Sequence, residues 1–363
     1  MTMGKVPNIV LLGGAGDVGL RLAQMLHQQT EAFVTTVSRR VADNNGQQNS
    51  RRRHISYDLT GPETLKIAAG AIVINLTEAT PSSMVKQVIE GSGWFLETSA
   101  TPKYLQEIMN SAESAAGSGS AVMCVGVAPG LTNLMATKIT TDAPNTRQVD
   151  IGLEMGMGRH YGAAATEWFL STAGRPYDIV IDHVPRRVAA GDLKRKFIFR
   201  QDGQSRLAVG YGFAEQSLIA EQSNLSLKTV RSFVALDPSW MTRMLSLMQS
   251  IGLGSAISRN AAMLAKWLLR FPAFGATQTR LVVEGFDDAG GLTGQIRVVT
   301  GDQAQATAAM IFATIESVLV RQEPMDEGLT MITDHLQFDE AMAALRRFLP
   351  ETVLSIRFGV EPQ

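Results

Sequence analysis

Three glycines near the amino end, Gly14, Gly16 and Gly19, are spaced as Gly-x-Gly-x-x-Gly and follow directly on the apolar run Ile9-Val-Leu-Leu. At this spacing the chemistry belongs to the main chain. A tight turn at Gly14, bare backbone at Gly16 and a close helix-to-strand contact at Gly19 aim the amide N–H groups of a helix start at an incoming diphosphate. Ala15, Asp17 and Val18 fill the spaces between the glycines and belong to the same candidate cradle. The helix itself is predicted by its apolar stripe, since Val18, Leu22, Met25 and Leu26 recur on one face.

A dinucleotide bound there has its adenosine ribose read about 20 residues further on, where a carboxylate would take the 2′-hydroxyl. Here the apolar residues 33–37 run into Ser38-Arg39-Arg40, with no acidic residue among them. Ser38 can donate a hydrogen bond, and Arg39 or Arg40 offers a planar guanidinium fork to a 2′-phosphate. The expected cofactor is NADP in preference to NAD. The other reading of the same residues is a solvated basic loop, continued by Arg51-Arg52-Arg53.

The elements that must hold this cradle alternate short apolar runs with helical patterns, which predicts a parallel sheet wrapped by helices. A third strand is expected near residues 54–57, ending at Asp58, with a helix carrying Pro62 in its first turn. A fourth covers 71–75, a helix opens at Pro81, a fifth covers 94–96, a helix opens at Thr101-Pro102, and a sixth covers 121–127. Six such strands complete a doubly wound Rossmann domain over residues 1–130. Ligands of such a sheet lie beyond the carboxyl ends of its strands. Asp58 and Leu59 would flank the adenine, and Asn75, Leu76 and Thr77 the nicotinamide ribose. Glu97, Thr98 and Ser99, with the glycine-rich residues 126–130, would border the reacting ring. The same polar residues can instead form turns or cap the next helix.

Composition sets outer bounds. The chain has 363 residues, enough for two domains, and Lys+Arg 33 against Asp+Glu 34 leaves a net charge of -1, so no overall field recruits nucleic acid. The single cysteine, Cys124, sits in an apolar setting and reads as a packed residue. The other histidines, His27, His54, His183 and His335, are too scattered to suggest metal ligands. The first strand starts too early to leave room for a signal sequence, so a cytoplasmic protein is expected. No transmembrane segment is expected either, because the longest uncharged stretch, between Glu113 and Lys138, is interrupted by Gly, Ser and Pro.

Residues 131–330 are expected to form a second α/β domain on a mixed sheet, with strands at 148–155, 177–181, 197–199, 227–235, 279–285 and 295–299. Asp287-Asp288-Ala-Gly290-Gly291 reads as a hairpin turn, and residues 303–320 as a helix of the same domain. A helical insertion falls near 238–272, residues 331–363 pack back on the body, and an open sheet face suggests a homodimer.

With residues 125–136, Val-Gly-Val-Ala-Pro-Gly-Leu-Thr-Asn-Leu-Met-Ala, joined to the glycine turn, Ser38-Arg39 and Asn75, the chain resembles the saccharopine dehydrogenase-like oxidoreductases. Weaker similarity runs through Thr166-Glu167-Trp168, residues 230–238 and residues 301–319. The resemblance implies an NAD(P)-dependent hydride transfer to or from a C=N or C=O carbon of a small amino-acid-like or ketone substrate. One departure is Ala128, where amino-acid and polyamine members often carry an acidic residue before Pro-Gly. Such a transfer needs a proton near the receiving heteroatom. His160 and Tyr161, in the glycine-rich run from Gly156 to Gly162, are the candidates for it, and Arg159 and Arg175 for a substrate carboxylate. The alternative is a segment whose His and Tyr only shape the loop.

Two further readings stay open. Residues 240–274 mix Trp, Leu, Met and Phe with Arg243, Arg259, Lys266 and Arg270 at helical spacing, which suits peripheral membrane contact by a lipid-directed or membrane-associated reductase. The same residues can also be helices packed on the core or on a partner subunit. A catalytically inactive NADP-binding interaction protein would carry the same glycine turn.

Overall fold

The computed structural model describes residues 6–39, 51–61, 63–159, 161–221, 225–321 and 328–359, so Arg40, Pro62 and His160 lie outside the described residues. The chain divides into two compact units. The first joins Met1–Leu131 to Ala304–Phe348, and the second joins Thr132–Gln303 to Leu349–Gln363.

The first unit is a parallel sheet. Its strands are β1 (Asn8–Leu12), β2 (Phe33–Ser38), β3 (Arg52–Ser56), β4 (Ile72–Asn75), β5 (Trp94–Glu97) and β6 (Ser120–Met123), with a seventh at Leu329–Met331. They lie in the order seventh-β6-β5-β4-β1-β2-β3, so the direction of winding reverses between β1 and β4. β1, β4, β5 and β6 are covered on both faces, which is why they read as unbroken apolar runs. Helix α1 (Asp17–Gln29) buries Leu22, Met25 and Leu26 against Ile9, Leu11 and Val34. Helix α2 (Ser83–Glu90) buries Met84, Val85, Val88 and Ile89, and α3 (Pro102–Glu113) buries Leu105, Ile108, Met109 and Ala112.

Three sequence expectations change here. The helix Gln303–Arg321 does not belong to the mixed sheet; Ala308, Ile311, Phe312, Ile315 and Val318 close the same core as β1 and α1. The expected boundary at residue 330 therefore falls inside the first unit. This helix is long and apolar enough to cross a membrane by composition, but most of its apolar side chains are buried within the protein, with Val320 exposed. Among the described residues no helix follows Asp58: residues 63–68 take no regular structure and 69–70 form a turn in which Gly70 carries a positive φ of 69°. The sixth strand stops at Met123, four residues early, because Cys124 takes a positive φ of 63° and the chain folds into a turn bridging Val127 and Gly130.

The second unit is built on a mixed sheet. In chain order it contains β7 (Gln148–Gly156), β8 (Tyr177–Ile181), β9 (Val184–Val188), β10 (Lys194–Phe197), β11 (Arg206–Gly210), β12 (Thr229–Asp237), β13 (Thr279–Phe286) and β14 (Leu292–Thr300). β7 and β12 are parallel and long, β13 and β14 form the expected hairpin, and Val353–Phe358 adds an antiparallel edge to β14. Its helices are α4 (Leu131–Asp142), α5 (Ala163–Thr172), α6 (Glu215–Glu221), α7 (Ser239–Ser250), α8 (Gly254–Arg259) and α9 (Ala261–Leu268). One sheet face is charged. Asp150 and Glu154, two pleats apart on β7, are wholly buried under Arg231, Arg195, Arg200 and Arg280, with Gly152 between them leaving room for the rings of Phe197 and Phe199.

Candidate functional site

At the carboxyl edge of β1 the chain turns inside the winding reversal. Gly13 carries the left-handed conformation, φ 82°, and its N–H donates to Val37 at 2.8 Å. This corrects the sequence assignment, which placed the turn requirement on Gly14. Gly14 is needed for a different reason: a Cβ there would lie 2.8 Å from Cβ of Thr36 and 2.9 Å from the carbonyl oxygen of Leu11. A Cβ on Gly19 would meet the backbone of Gly14 at 2.6 Å, so α1 rests directly on the turn. Gly16 is the least crowded of the turn glycines, with only the Gly13 carbonyl near an added Cβ, at 3.2 Å. It is also the cap residue of α1, and no side chain caps that helix. A helix start with a bare, uncapped first turn can accept an anion through its free N–H groups and its dipole. Ala15 and Val18 complete the turn, and the Asp17 carboxylate, which would oppose a diphosphate, bonds back to Arg21 at 3.1 Å.

Ser38 ends β2 and Arg39 follows it, exposed. The charge of Arg39 reaches Asp58, whose carboxyl is held below its ordinary range first by the hydroxyl and then by the N–H of Thr60, with Arg39 adding to them. Asp58 thus builds the turn after β3, accepting from Thr60 Oγ1 at 2.8 Å and Thr60 N at 3.0 Å. A cleft of about 290 Å³ opens here between Tyr57, Leu59, Thr60 and Gly61 on one side and Ala79, Pro81 and Met84 on the other.

Across the reversal, the register of β4 on β5 sets Asn75 beside Glu97. Both are fully buried. Asn75 Nδ2 donates to Glu97 Oε2 at 2.7 Å and to the Tyr104 hydroxyl at 2.9 Å, while its Oδ1 accepts from Thr80 Oγ1 at 2.6 Å. The Asn75 amide is committed to the protein interior, so this residue positions the loop and leaves contact with a ligand to its neighbours. Leu76 is half-buried and bonds the end of β1, Leu76 N to Leu12 O at 2.9 Å. Thr77 lies against Gly13, 3.1 Å from where a Cβ would stand. Thr98 Oγ1 donates to the Asn75 carbonyl at 2.6 Å, and Ser99 N to Glu97 Oε1 at 2.8 Å. Tyr104 and Thr80 gave no sequence signal; only strand register and the placement of α3 bring them in.

Burial pushes the Glu97 carboxyl up to about 7. In the second unit Glu215, which accepts from Thr132 and Ser232, is likewise pushed by burial to about 7. Between 4.5 and about 7 each folded carboxyl keeps a proton that the unfolded chain has released. Their contribution to stability is therefore complete below that window and lost as pH rises through it. Urea midpoints are expected to fall as pH rises from about 5 to about 8, as the unfolding free energy drops by on the order of 3 kcal/mol per carboxyl. The double variant Glu97→Gln with Glu215→Gln should flatten the profile; an unchanged slope would assign it elsewhere.

The second-unit candidates separate. Arg159 is ion-paired with Asp302. The Tyr161 hydroxyl donates to the Gly156 carbonyl at 3.0 Å and is pushed well up, chiefly by burial and further by the charge of Asp302. Arg175 lies exposed beyond the far end of the ten-residue helix α5, which spans about 15 Å, so it does not share the neighbourhood of Tyr161.

No family model matches the sequence, and no curated protein matches it. Solved structures resemble it distantly. An engineered D-amino acid dehydrogenase bound to NADP+ aligns with a TM-score of 0.45 at 11% identity, covering 92% of this chain and 95% of that one. The C. glutamicum DAP dehydrogenase in complex with DAP gives 0.42 at 10% identity, over 93% and 98%. Dipicolinate-bound dihydrodipicolinate reductase from Paenisporosarcina sp. TG-14 gives 0.40 at 9% identity, over 90% and 98%. Likeness at this level is one of chain path and says nothing of substrate.

Proposed function

We propose that the chain is an NADP-dependent oxidoreductase of the saccharopine dehydrogenase-like kind, moving a hydride to or from a C=N or C=O carbon of a small amino-acid-like or ketone substrate. The observation that carries this reading is the uncapped start of α1 behind Gly13–Gly19, at the point where the sheet reverses its winding. The nicotinamide, when bound, supplies the hydride in its reduced form or receives it in its oxidised form. The chain's own part is to hold the diphosphate on the first turn of α1, to read the 2′-phosphate with Ser38 and Arg39, and to fix the loop from Asn75 to Thr80 through the buried Glu97 and Tyr104. On the substrate side we assign Arg159 to a substrate carboxylate, with Asp302 holding its guanidinium. Of the two candidate proton donors, His160 matches a neutral medium better, because Tyr161 is pushed up and its hydroxyl bonds Gly156.

Titration of the purified protein with NADPH and NADH tests the reading. NADPH is expected to bind more tightly, and Arg39→Glu to weaken NADPH by about tenfold to a hundredfold while changing NADH little, the cost of one charge-assisted phosphate contact. Equal losses for both would remove Arg39 from the 2′-phosphate, and no response to either nucleotide would remove the cofactor. With binding established, consumption of NADPH on imino acids and ketones separates an oxidoreductase from an inactive binding protein.

A further inference from the structure

Helix α7 is built inside out. Its inward face carries Thr242, Ser246 and Gln249 beside Leu245, all buried. Its outward face carries Trp240, Met244, Leu247 and Ile251, which are 54%, 47%, 61% and 61% exposed. The outward positions are four, three and four residues apart, a single stripe along the helix. Polar bonds fix this rotation. Thr242 Oγ1 takes the N–H of Leu236 at 2.7 Å, and Gln249 Nε2 donates to the Ala173 carbonyl at 2.6 Å. The apolar stripe cannot turn inward without breaking them.

Helix α9 also turns apolar side chains outward. α9 packs on α5 through the small residues Ala261 and Ala265, and turns Met263, Trp267 and Leu268 outward. Trp267 meets Phe271 edge to face, ring centroids 4.3 Å apart, and both are exposed. Ten of the sixteen large hydrophobic side chains exposed among the described residues fall between Trp240 and Phe274. A monomer surface seldom collects so many in so short a stretch without something to meet them.

Charge decides what that is. From Pro238 to Val283 the sequence holds no Asp or Glu, and Arg243, Arg259 and Lys266 stand exposed on these helices, with Arg270 exposed just after α9. A second copy of the chain, meeting this face by a two-fold axis, would set cations against cations in an apolar interface, which is costly. An anionic bilayer complements both halves of the pattern. Trp and Phe partition into the headgroup boundary, and each Lys or Arg near the surface adds attraction to acidic lipid.

We propose that α7 to α9 form a docking surface for an anionic lipid bilayer, on which the protein rests peripherally. Full-length protein is sedimented with phosphatidylcholine vesicles and with vesicles of phosphatidylcholine mixed with phosphatidylserine. Binding to the mixed vesicles is expected, weaker on the neutral ones and weakened by salt. Arg243→Gln with Arg270→Gln should lower partition on mixed vesicles about thirtyfold, two surface cations at roughly fivefold each, and leave the neutral vesicles unaffected. Trp240→Ser with Trp267→Ser should lower partition on both by about tenfold or more. All these positions are exposed, so thermal midpoints are expected to stay within a few degrees and to show that the variants are folded. Protein that stays in the supernatant with both vesicle types overturns the proposal. So does equal binding to both that ignores the arginine substitutions. An oligomer in light scattering that Trp240→Ser with Trp267→Ser converts to monomer, with no vesicle binding, assigns the face to a second copy instead.

Discussion

Replacing Glu154 with alanine is expected to lower the stability of the second unit by about 3–5 kcal/mol, the penalty for stranding buried charge. Glu154 is wholly buried on β7. Its Oε2 takes Arg280 Nη1 at 2.8 Å and Arg200 Nε at 3.3 Å, and Arg206 Nε lies 3.6 Å from Oε1. The Arg280 side chain is only 6% exposed and cannot recover water; it would be left with Gln278 and, at 3.5 Å, Asp237. The comparison that isolates the effect is Glu154→Ala with Arg280→Met, which removes both charges and should regain much of the loss. Asp142→Asn, which breaks the surface pair with Lys138, should change stability by roughly 0.5 kcal/mol or less. Urea unfolding in a Trp94→Phe background reads the second unit alone, since the remaining tryptophans, Trp168, Trp240 and Trp267, all belong to it. A single-variant loss below about 1 kcal/mol would show that these arginines find solvent and that the ladder is not closed.

The second large effect separates two glycines of one turn. In Gly19→Ala the new methyl would lie 2.6 Å from Gly14 backbone atoms that cannot yield, so α1 must shift. The expected result is a stability loss of about 1–3 kcal/mol together with a loss of dinucleotide affinity of about tenfold to a hundredfold. Gly16→Ala is different. Its φ of −75° suits alanine and its only close neighbour stands at 3.2 Å, so the fold should be kept. The methyl nevertheless occupies the space a diphosphate needs, and binding should fall as far as in Gly19→Ala. Melting curves read beside calorimetric titration with NADPH make the distinction. A Gly16→Ala protein that binds NADPH as well as the parent would remove the cradle from the site.

What the sequence disclosed depended on whether a requirement was local. The glycine turn was legible because its glycines fall at fixed spacing within seven residues, although Thr36 and Thr77, which crowd Gly14 and Gly13, come from elsewhere in the chain, and the strands of the first sheet because burial on both faces writes continuous apolar runs. The helix Gln303–Arg321 was legible as an element but not in its allegiance: periodicity shows that one side is buried and not which sheet covers it. The three-residue strand Leu329–Met331 is too short to leave a pattern. The Asn75–Glu97–Tyr104 cluster joins residues 22 and 29 positions apart through sheet register and helix placement. A partial signal was present, a polar residue closing each of two neighbouring strands. The charged ladder left one too, in the alternation Asp150-Ile-Gly-Leu-Glu154, whose arginine partners sit on other strands.

The route of the chain has a consequence for synthesis. Strands β1 to β6 leave the ribosome first and residues 132–303 next, before Ala308, Ile311, Phe312, Ile315 and Val318, which seal the core of those strands. Until they emerge, the nascent α1 and β1 present uncovered apolar surface, and the interposed segment can settle only as far as its own closing edge, Val353–Phe358, permits. A stop codon just before Ala304 would thus yield neither unit whole, and permutants intended to simplify folding should join the two stretches of the first unit in one uninterrupted run.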